Sequence, residues 1–401
     1  MTQQQSTQLL AEVQKVLLDD PDFLRSLLSH CLQKVLDEEF THFIGAEKYE
    51  RSEERRGHRN GSYERSLKTR VGTIELSVCR DREGLFQTEL FGRYQRNERA
   101  LVTTMVEMYV KGVSTRKVGK IVEALCGSEV SKSQISELTK GLDESLTAWR
   151  KRRLDGEYPY LVVDARYEKV RTPAGVVSKA VLIIIGISNS GKRSILAVET
   201  GNSESEECWG EVFRELKERG LKGLIYVVSD QHRGLVNALN RYFQGVVWQR
   251  CQVHFIRNFM SKLKWKDLDN YLPDLKEIFA APKREEAMRR KNEFVLKLEK
   301  HYPEIAEWID ENIEFSLAVY ALPPSHRKRM KSTNMIERLN KELKRRSKVI
   351  GIFPNDAACL RVLGSICQET SEEWEVGKKY LNMGIDYPES EAESIKLSQA
   401  G

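Results

Sequence analysis

The chain of 401 residues is 40% hydrophobic and 31% charged, with a formal net charge of +6 at pH 7, a length that allows two to four domains with a substantial core. The longest apolar run, Ala180 to Ile187, is too short to span a bilayer, and Met1-Thr2-Gln3-Gln4-Gln5-Ser6 has neither the basic nor the apolar region of a secretory signal, which points away from membrane and exported classes. Seven scattered cysteines argue against a disulfide framework and for the reducing cytosol, while basic clusters at 51–70, 151–153 and 326–348 suit a polyanion partner.

Leu9, Leu10, Val13, Val16 and Leu17 recur at helical spacing, as do Leu24, Leu27, Leu28, Cys31, Val35 and Leu36. Residues 6–45 therefore predict two amphipathic helices, parted at Asp20-Pro21. Helices of that size need a surface to pack on: the rest of the chain, a second copy, or DNA. Residues 46–64 carry Arg51, Arg55, Arg56, His58 and Arg59 and predict a basic arm. Together, 1–60 is expected to serve dimerisation or DNA binding. Residues 61–96 form the next region, where Ser66 to Thr69 and Thr73 to Cys79 alternate around Val71-Gly72 and predict a β-hairpin.

Residues 97–150 predict helices over Ala100 to Lys111, Ser114 to Leu125 and Val130 to Leu142, with Ser114 and Ser131 as N-caps. The last two are short and joined through Cys126-Gly127, which resembles a helix-turn-helix. Lys132, Ser133 and Gln134 would then reach base edges, with Arg116 and Lys117 as further DNA contacts.

From Tyr158 the pattern turns to β. Strands are expected at Tyr160 to Asp164 (continuing toward Arg171), Val176 to Ile187 and Arg193 to Glu199. A helix Glu206 to Arg219, a strand Leu224 to Ser229, a helix Leu235 to Phe243 and a strand Val246 to Gln249 follow. Three antiparallel strands, a crossover helix and a parallel strand are the layout of an α/β, RNase H-like core with a mixed five-stranded sheet. Residues 158–254 would be its first part. Residues 255–325 predict an all-α insertion, with helices at Lys262 to Trp265, Leu272 to Ala280, Arg284 to Lys300 and Pro303 to Ile313. Residues 326–375 would complete the core with a basic helix, Ser332 to Lys348, and a closing helix, Ala357 to Glu369. The tail, 376–401, has little apolar content.

Three acids stand out against this frame. Asp164 closes the apolar run Tyr160 to Val163, and Asp230 follows Leu224 to Ser229. Glu337 lies on the basic helix, whose N-cap is Ser332, Thr333 or Asn334. Taken singly, each has an ordinary reading as a turn residue, a cap or an i,i+4 ion pair. But a carboxylate aimed out of a buried strand is costly to desolvate. Two of them suggest a shared site made tolerable by a divalent metal. Glu337 shares its face with Lys341, Lys344 and Lys348 at i+4, i+7 and i+11. An acid for a metal beside cations for a polyanion is what a phosphodiester site needs; Arg345 and Arg346 join those three lysines as expected DNA contacts. Cys251-x-x-His254 has half of a zinc motif, but a structural zinc needs four ligands and no second CxxC or HxxxH pair exists. A structural or DNA-proximal role is expected for it.

Several stretches taken together resemble one family. They are Arg59-Asn60-Gly61-Ser62-Tyr63-Glu64-Arg65 with Lys68-Thr69-Arg70, Asp81-Arg82-Glu83-Gly84, and Lys111-Gly112-Val113-Ser114-Thr115-Arg116. Asp164 and Asp230 on their strands, Cys251-Gln252-Val253-His254 with Arg257-Asn258, Thr333-Asn334-Met335-Ile336-Glu337-Arg338-Leu339-Asn340 and Gly351-Ile352-Phe353-Pro354-Asn355 complete the set. Over about residues 40–375 the chain resembles the Mutator-type DDE transposases of the bacterial insertion-sequence branch. The resemblance implies a DDE triad of Asp164, Asp230 and Glu337, Lys344 as the basic residue further along the Glu helix, and Cys251 and His254 as a family element. It implies Mg²⁺ at the triad, with Mn²⁺ as a substitute, and double-stranded DNA as partner, both transposon ends and target. A homodimer in a bacterial cytoplasm, associated with the nucleoid and free of membranes, is the expected setting. The expected chemistry is strand cleavage followed by 3′-hydroxyl attack on a second phosphodiester. The loop Asp230-Gln231-His232-Arg233-Gly234 departs from the Asp-Gly that family members often carry there. An RNase H-like DNA nuclease and a domesticated DNA-binding protein are the rival readings.

Overall fold

Buried apolar runs and amphipathic stripes fold this chain into two units, the second beginning at Leu142. The computed structural model describes residues 23–50, 55–90, 99–111, 113–127 and 129–384. The expected helix before Asp20-Pro21 and the tail beyond Gly384 lie outside them.

In the first unit, helix α1 (Phe23–Ile44) packs Leu28, Leu32 and Leu36 on a two-stranded antiparallel hairpin, β1 (Arg59–Thr69) and β2 (Gly72–Asp81), against Leu67, Ile74, Leu76 and Val78. The hairpin begins seven residues earlier than its apolar alternation suggests, at Arg59 rather than Ser66. Side chains 60–64 are all exposed, so the backbone ladder with β2 holds that part of the strand without an apolar face. Next come α2 (Arg99–Val110), α3 (Thr115–Cys126) and α4 (Lys132–Lys140), closed around Leu101, Met105, Val118, Val122 and Ile135. Ser114 caps α3 by accepting from the Lys117 amide, and Ser131 forms a full capping box with Gln134 at the start of α4.

The expected 97–150 segment is divided by the structure. Its last helix stops at Lys140, and a separate α5 (Leu142–Arg150) belongs to the second unit. There Arg361 donates two hydrogen bonds to Asp143, both 2.6 Å, Leu146 packs on Gly364, and Arg150 pairs with Glu199. These partners are about two hundred residues away or on another strand, so no local pattern announces them.

The second unit is mixed α/β. Strands β3 (Tyr160–Thr172), β4 (Gly175–Ile187), β5 (Arg193–Gly201), β6 (Tyr226–Ser229) and β7 (Val247–Arg250) form one sheet in the order β5-β4-β3-β6-β7. β4 runs antiparallel to both β3 and β5; β6 runs parallel to both β3 and β7. Helices α6 (Glu206–Glu218) and α7 (Arg233–Tyr242) supply the crossovers and cover one face with Trp209, Val212, Phe213, Leu216, Leu235 and Leu239. Leu161 and Val163 of β3 point into that core. Alternation along the strand therefore sends Tyr160, Val162, Asp164 and Arg166 to the opposite face.

Between β7 and the Glu337 helix lie α8 (Gln252–Lys262), α9 (Leu268–Phe279), α10 (Arg284–Glu299), α11 (Pro303–Asn312) and α12 (Pro324–Met330). Instead of the expected helix at 262–265, α8 ends there. It starts directly off β7, with Cys251 at its N-cap position. Then follow α13 (Asn334–Ile350) and α14 (Asp356–Val376), the latter capped by Asn355, which accepts from the Ala358 amide. No helix among the described residues is long and apolar enough to cross a membrane.

Candidate active site

β3 and β6 are in register at Val162 and Val228, so two residues further on each chain stand Asp164 and Asp230. The parallel pairing thus carries two carboxylates to neighbouring positions where β6 ends, part-way along the longer β3. Asp230 sits in the turn after β6, where its Oδ1 accepts from the Gln231 amide at 2.7 Å. Ser229, fully buried, anchors that turn by accepting from Trp248 Nε1 at 2.9 Å.

Helix α13 brings the third acid. At its C-terminal end Gly351, at φ 76°, reverses the chain, and Phe353 pairs with β3 through Lys169 and Arg171, both bonds 2.8 Å. In the middle Arg166 donates to the Asn340 carbonyl at 2.8 Å, and Asn340 Nδ2 donates to Asp164 Oδ2 at 3.1 Å. The N-terminal end differs from expectation. Thr333 holds the N-cap position, but its side chain makes no cap; its hydroxyl and amide both donate to Cys251 Sγ at 3.4 Å. The helix start is tied to the end of β7 instead.

As a result Asp164, Asp230, Glu337, Lys341 and Lys344 all line one pocket of about 530 Å³. Lys348 does not line it, and Arg345 and Arg346 bind Glu342 at 2.8–2.9 Å. Four pocket residues received no site role from the sequence: Glu204, His232, Arg257 and Asn340, although the last three fall within the family-like stretches or the loop after Asp230. Glu204 precedes the N-cap of α6 and reads locally as a cap-region acid; only the sheet brings it beside Asp230.

The electrostatics are those of crowded acids. Burial pushes Asp164 up to about 6, opposed by His254 and reinforced by Glu204 and Asp230. Glu204 is also raised, first by burial, against the pull of His232 and a hydrogen bond from Tyr167. His254 stands between two of these acids, Nδ1 3.9 Å from Asp230 and Nε2 3.8 Å from Glu337. The Cys251 sulfur beside it lifts His254 to about 9, more than burial lowers it. Burial alone would raise the Cys251 thiol, but His254 and Thr333 outweigh it and the thiol is depressed. Arg257 Nη1 lies 2.9 Å from Glu337 Oε1. Cys251 and His254 are therefore one pair: the sulfur fixes the helix start, and the imidazolium balances the acids.

Among the described residues no three acids, histidines or cysteines converge closely enough to hold a metal ion as the side chains stand. The donor set still suits one. Four carboxylates line the pocket, and the buried Asn340 Oδ1 has no hydrogen-bond partner. Hard oxygen donors of this kind suit Mg²⁺ or Mn²⁺. In their place the His254 imidazolium and Arg257 guanidinium now supply the positive charge, so a divalent ion requires these side chains to turn.

In the first unit Arg116, Lys132, Ser133 and Gln134 line a separate cavity of about 750 Å³, and Lys117 is exposed nearby. The Gln134 carbonyl oxygen is engaged by the Ser131 amide at 2.9 Å, which leaves its amide donors.

The family model described as "Transposase, Mutator family" matches residues 1–377. A transposase for insertion sequence element ISRM5 of Rhizobium meliloti is 47% identical over 383 residues, 96% of each chain. The transposase for IS256 in transposon Tn4001 of Staphylococcus aureus is 42% identical, over 95% of this chain and 99% of that one. The transposase for IS1081 of Mycobacterium tuberculosis is 36% identical over 94% and 91%. The chain belongs to the Mutator family of transposases.

Proposed function

We propose that the protein is a DDE transposase that binds the terminal inverted repeats of an insertion sequence, cleaves DNA there and joins the freed 3′-hydroxyl to target DNA. The observation that carries this reading is the pocket itself: Asp164, Asp230 and Glu337, from three elements far apart in sequence, line it together with Lys341 and Lys344. The strand order and directions support an RNase H-like core.

Asp164, Asp230 and Glu337 would hold Mg²⁺, or Mn²⁺ in its place, which supplies the charge that activates the attacking oxygen and stabilises the leaving one. Asn340 holds the Asp164 carboxylate in place. Lys341, Lys344 and Arg257 offset the charge of the scissile phosphate. Arg116, Lys117, Lys132, Ser133 and Gln134 would meet the inverted repeat. Bringing two ends together supports at least a homodimer.

The test is a labelled duplex carrying the element's end, incubated with Mg²⁺ or EDTA, beside Asp164→Ala, Asp230→Ala and Glu337→Ala. Metal-dependent cleavage and joined products, lost in all three variants while binding persists, are expected. Cleavage without joining would favour a nuclease; binding without cleavage would favour a DNA-binding protein.

A further inference from the structure

A second cavity, about 880 Å³, opens on a different flank of α13. Arg338 lines it and follows Glu337 by one residue, so the two side chains leave the helix about 100° apart. The remaining walls come from the start of β5, the end of α12, the last turns of α14 and the segment 377–384 after it. That segment is pinned. The amides of Tyr380 and Leu381 donate to the Gly191 carbonyl at 2.7 and 3.1 Å, Leu381 is buried, and the Asn382 carbonyl lies 2.8 Å from His326 Nε2.

Six cations line the cavity: Arg193, Lys328, Arg329, Arg338, Lys378 and Lys379. Among the described residues none of them has a carboxylate within ion-pair distance. The one lining acid, Glu342, is already taken by Arg345 and Arg346. An ordinary solvated surface mixes signs and leaves its long side chains unordered. Here Arg193 is half-buried, with its guanidinium 4.2 Å from the Trp374 ring centre and 4.7 Å from that of Tyr380. Arg329 lies over the same tyrosine at 4.8 Å. A stacked guanidinium is held in place while its N–H edge stays open to an anion, and that fork matches phosphate. Burial lowers the Arg193 pKa and Arg329 and Arg338 add to it, so an entering anion relieves crowding of like charges.

We propose that this cavity is a second DNA site, which grips backbone phosphates other than those at the acid pocket. The inference rests on the reading of DNA as substrate. Cations spread around a cavity of this size suit several phosphates of a polyanion better than one small anion.

The experiment measures binding of a short fluorescein-labelled duplex to the full chain in EDTA, by anisotropy over a range of salt. The charge reversal Arg338→Glu/Lys378→Glu/Lys379→Glu is expected to weaken binding about tenfold or more. It is also expected to flatten the log–log salt slope by about 0.9 for every phosphate that the protein no longer neutralises. Adding Lys344→Ala should flatten the slope further, because the two sites hold different phosphates. Affinity and slope unchanged in the reversed variant, with thermal unfolding intact, overturn the second site and leave the acid-pocket reading standing. If the reversal fails to fold, Lys378→Ala/Lys379→Ala, which only trims exposed side chains, is held to the same criteria. Slope changes that fail to add show one site rather than two. A wild-type protein that binds no duplex at any salt overturns both readings.

Discussion

Arg257 places a guanidinium nitrogen 2.9 Å from the Glu337 carboxylate, so the third acid of the pocket is already paired within the protein. Arg257 is more than half exposed and Glu337 about a quarter, so the pair is worth about 1 kcal/mol or less. A divalent ion must compete with it. Arg257→Ala is therefore expected to tighten Mn²⁺ binding by up to about fivefold and to weaken DNA binding by removing a cation from the phosphate path. Mn²⁺ titration by calorimetry checks the first effect; weaker metal binding in the variant would show that Arg257 does not compete for Glu337.

The pairing of α5 with α14 predicts where a single change destabilises the second unit. Arg361 has a side chain only 6% exposed and directs two 2.6 Å bonds at Asp143. Asp143→Ala leaves that guanidinium buried without a counter-charge, at a cost of about 2 kcal/mol, moderated because Asp143 is itself partly exposed. Adding Arg361→Leu should recover part of the loss. Urea unfolding of the two variants measures both, and a double variant less stable than Asp143→Ala would refute the account.

The same helix marks the limit of what the sequence discloses. β3, β4 and β6 are legible because they are near-continuous apolar runs, and Asp164 and Asp230 because a carboxylate at such a run is costly without a purpose. Glu337 is legible from its helical phase with Lys341 and Lys344. Asn340, one turn on, stands in a family-like stretch without a role, and its bond to Asp164 exists only because Phe353 and Arg166 dock α13 on β3. Arg257 and Glu204 likewise reach the pocket through tertiary placement alone. The start of β1 is hidden for a different reason: with side chains 60–64 all exposed, it has no apolar alternation to read. The side chain of Thr333, legible as a cap, is claimed instead by Cys251, a partner 82 residues away.

Cysteine reactivity separates acidity from access. Cys251 has a depressed thiol pKa but is fully buried, whereas Cys31 is exposed. Cys359 and Cys367 are buried and pushed up to about 12. Alkylation requires both thiolate and access. Native iodoacetamide treatment followed by peptide mass spectrometry should label Cys31 first and leave Cys251, Cys359 and Cys367 nearly untouched. Cys251 labelled as fast as Cys31 would mean that the α8–α13 junction opens readily.

Asp164 gives the pH dependence. Its carboxyl titrates at about 6 in the folded chain, because of burial, against 3.8 ordinarily. The folded state thus holds the proton more tightly than the unfolded one. The associated stability is complete below about pH 4 and is lost as pH rises through about 6. At 1.36 kcal/mol per pH unit, the loss is about 3 kcal/mol at most. In EDTA the wild-type melting temperature should therefore fall between pH 4.5 and 7 relative to Asp164→Asn, which cannot ionise there. Divalent ion added at pH 7 should restore the wild type and leave Asp164→Asn unmoved, since the ion takes the place of the proton. Parallel pH profiles for the two proteins in EDTA would show that Asp164 ionises without cost and needs no cation beside it.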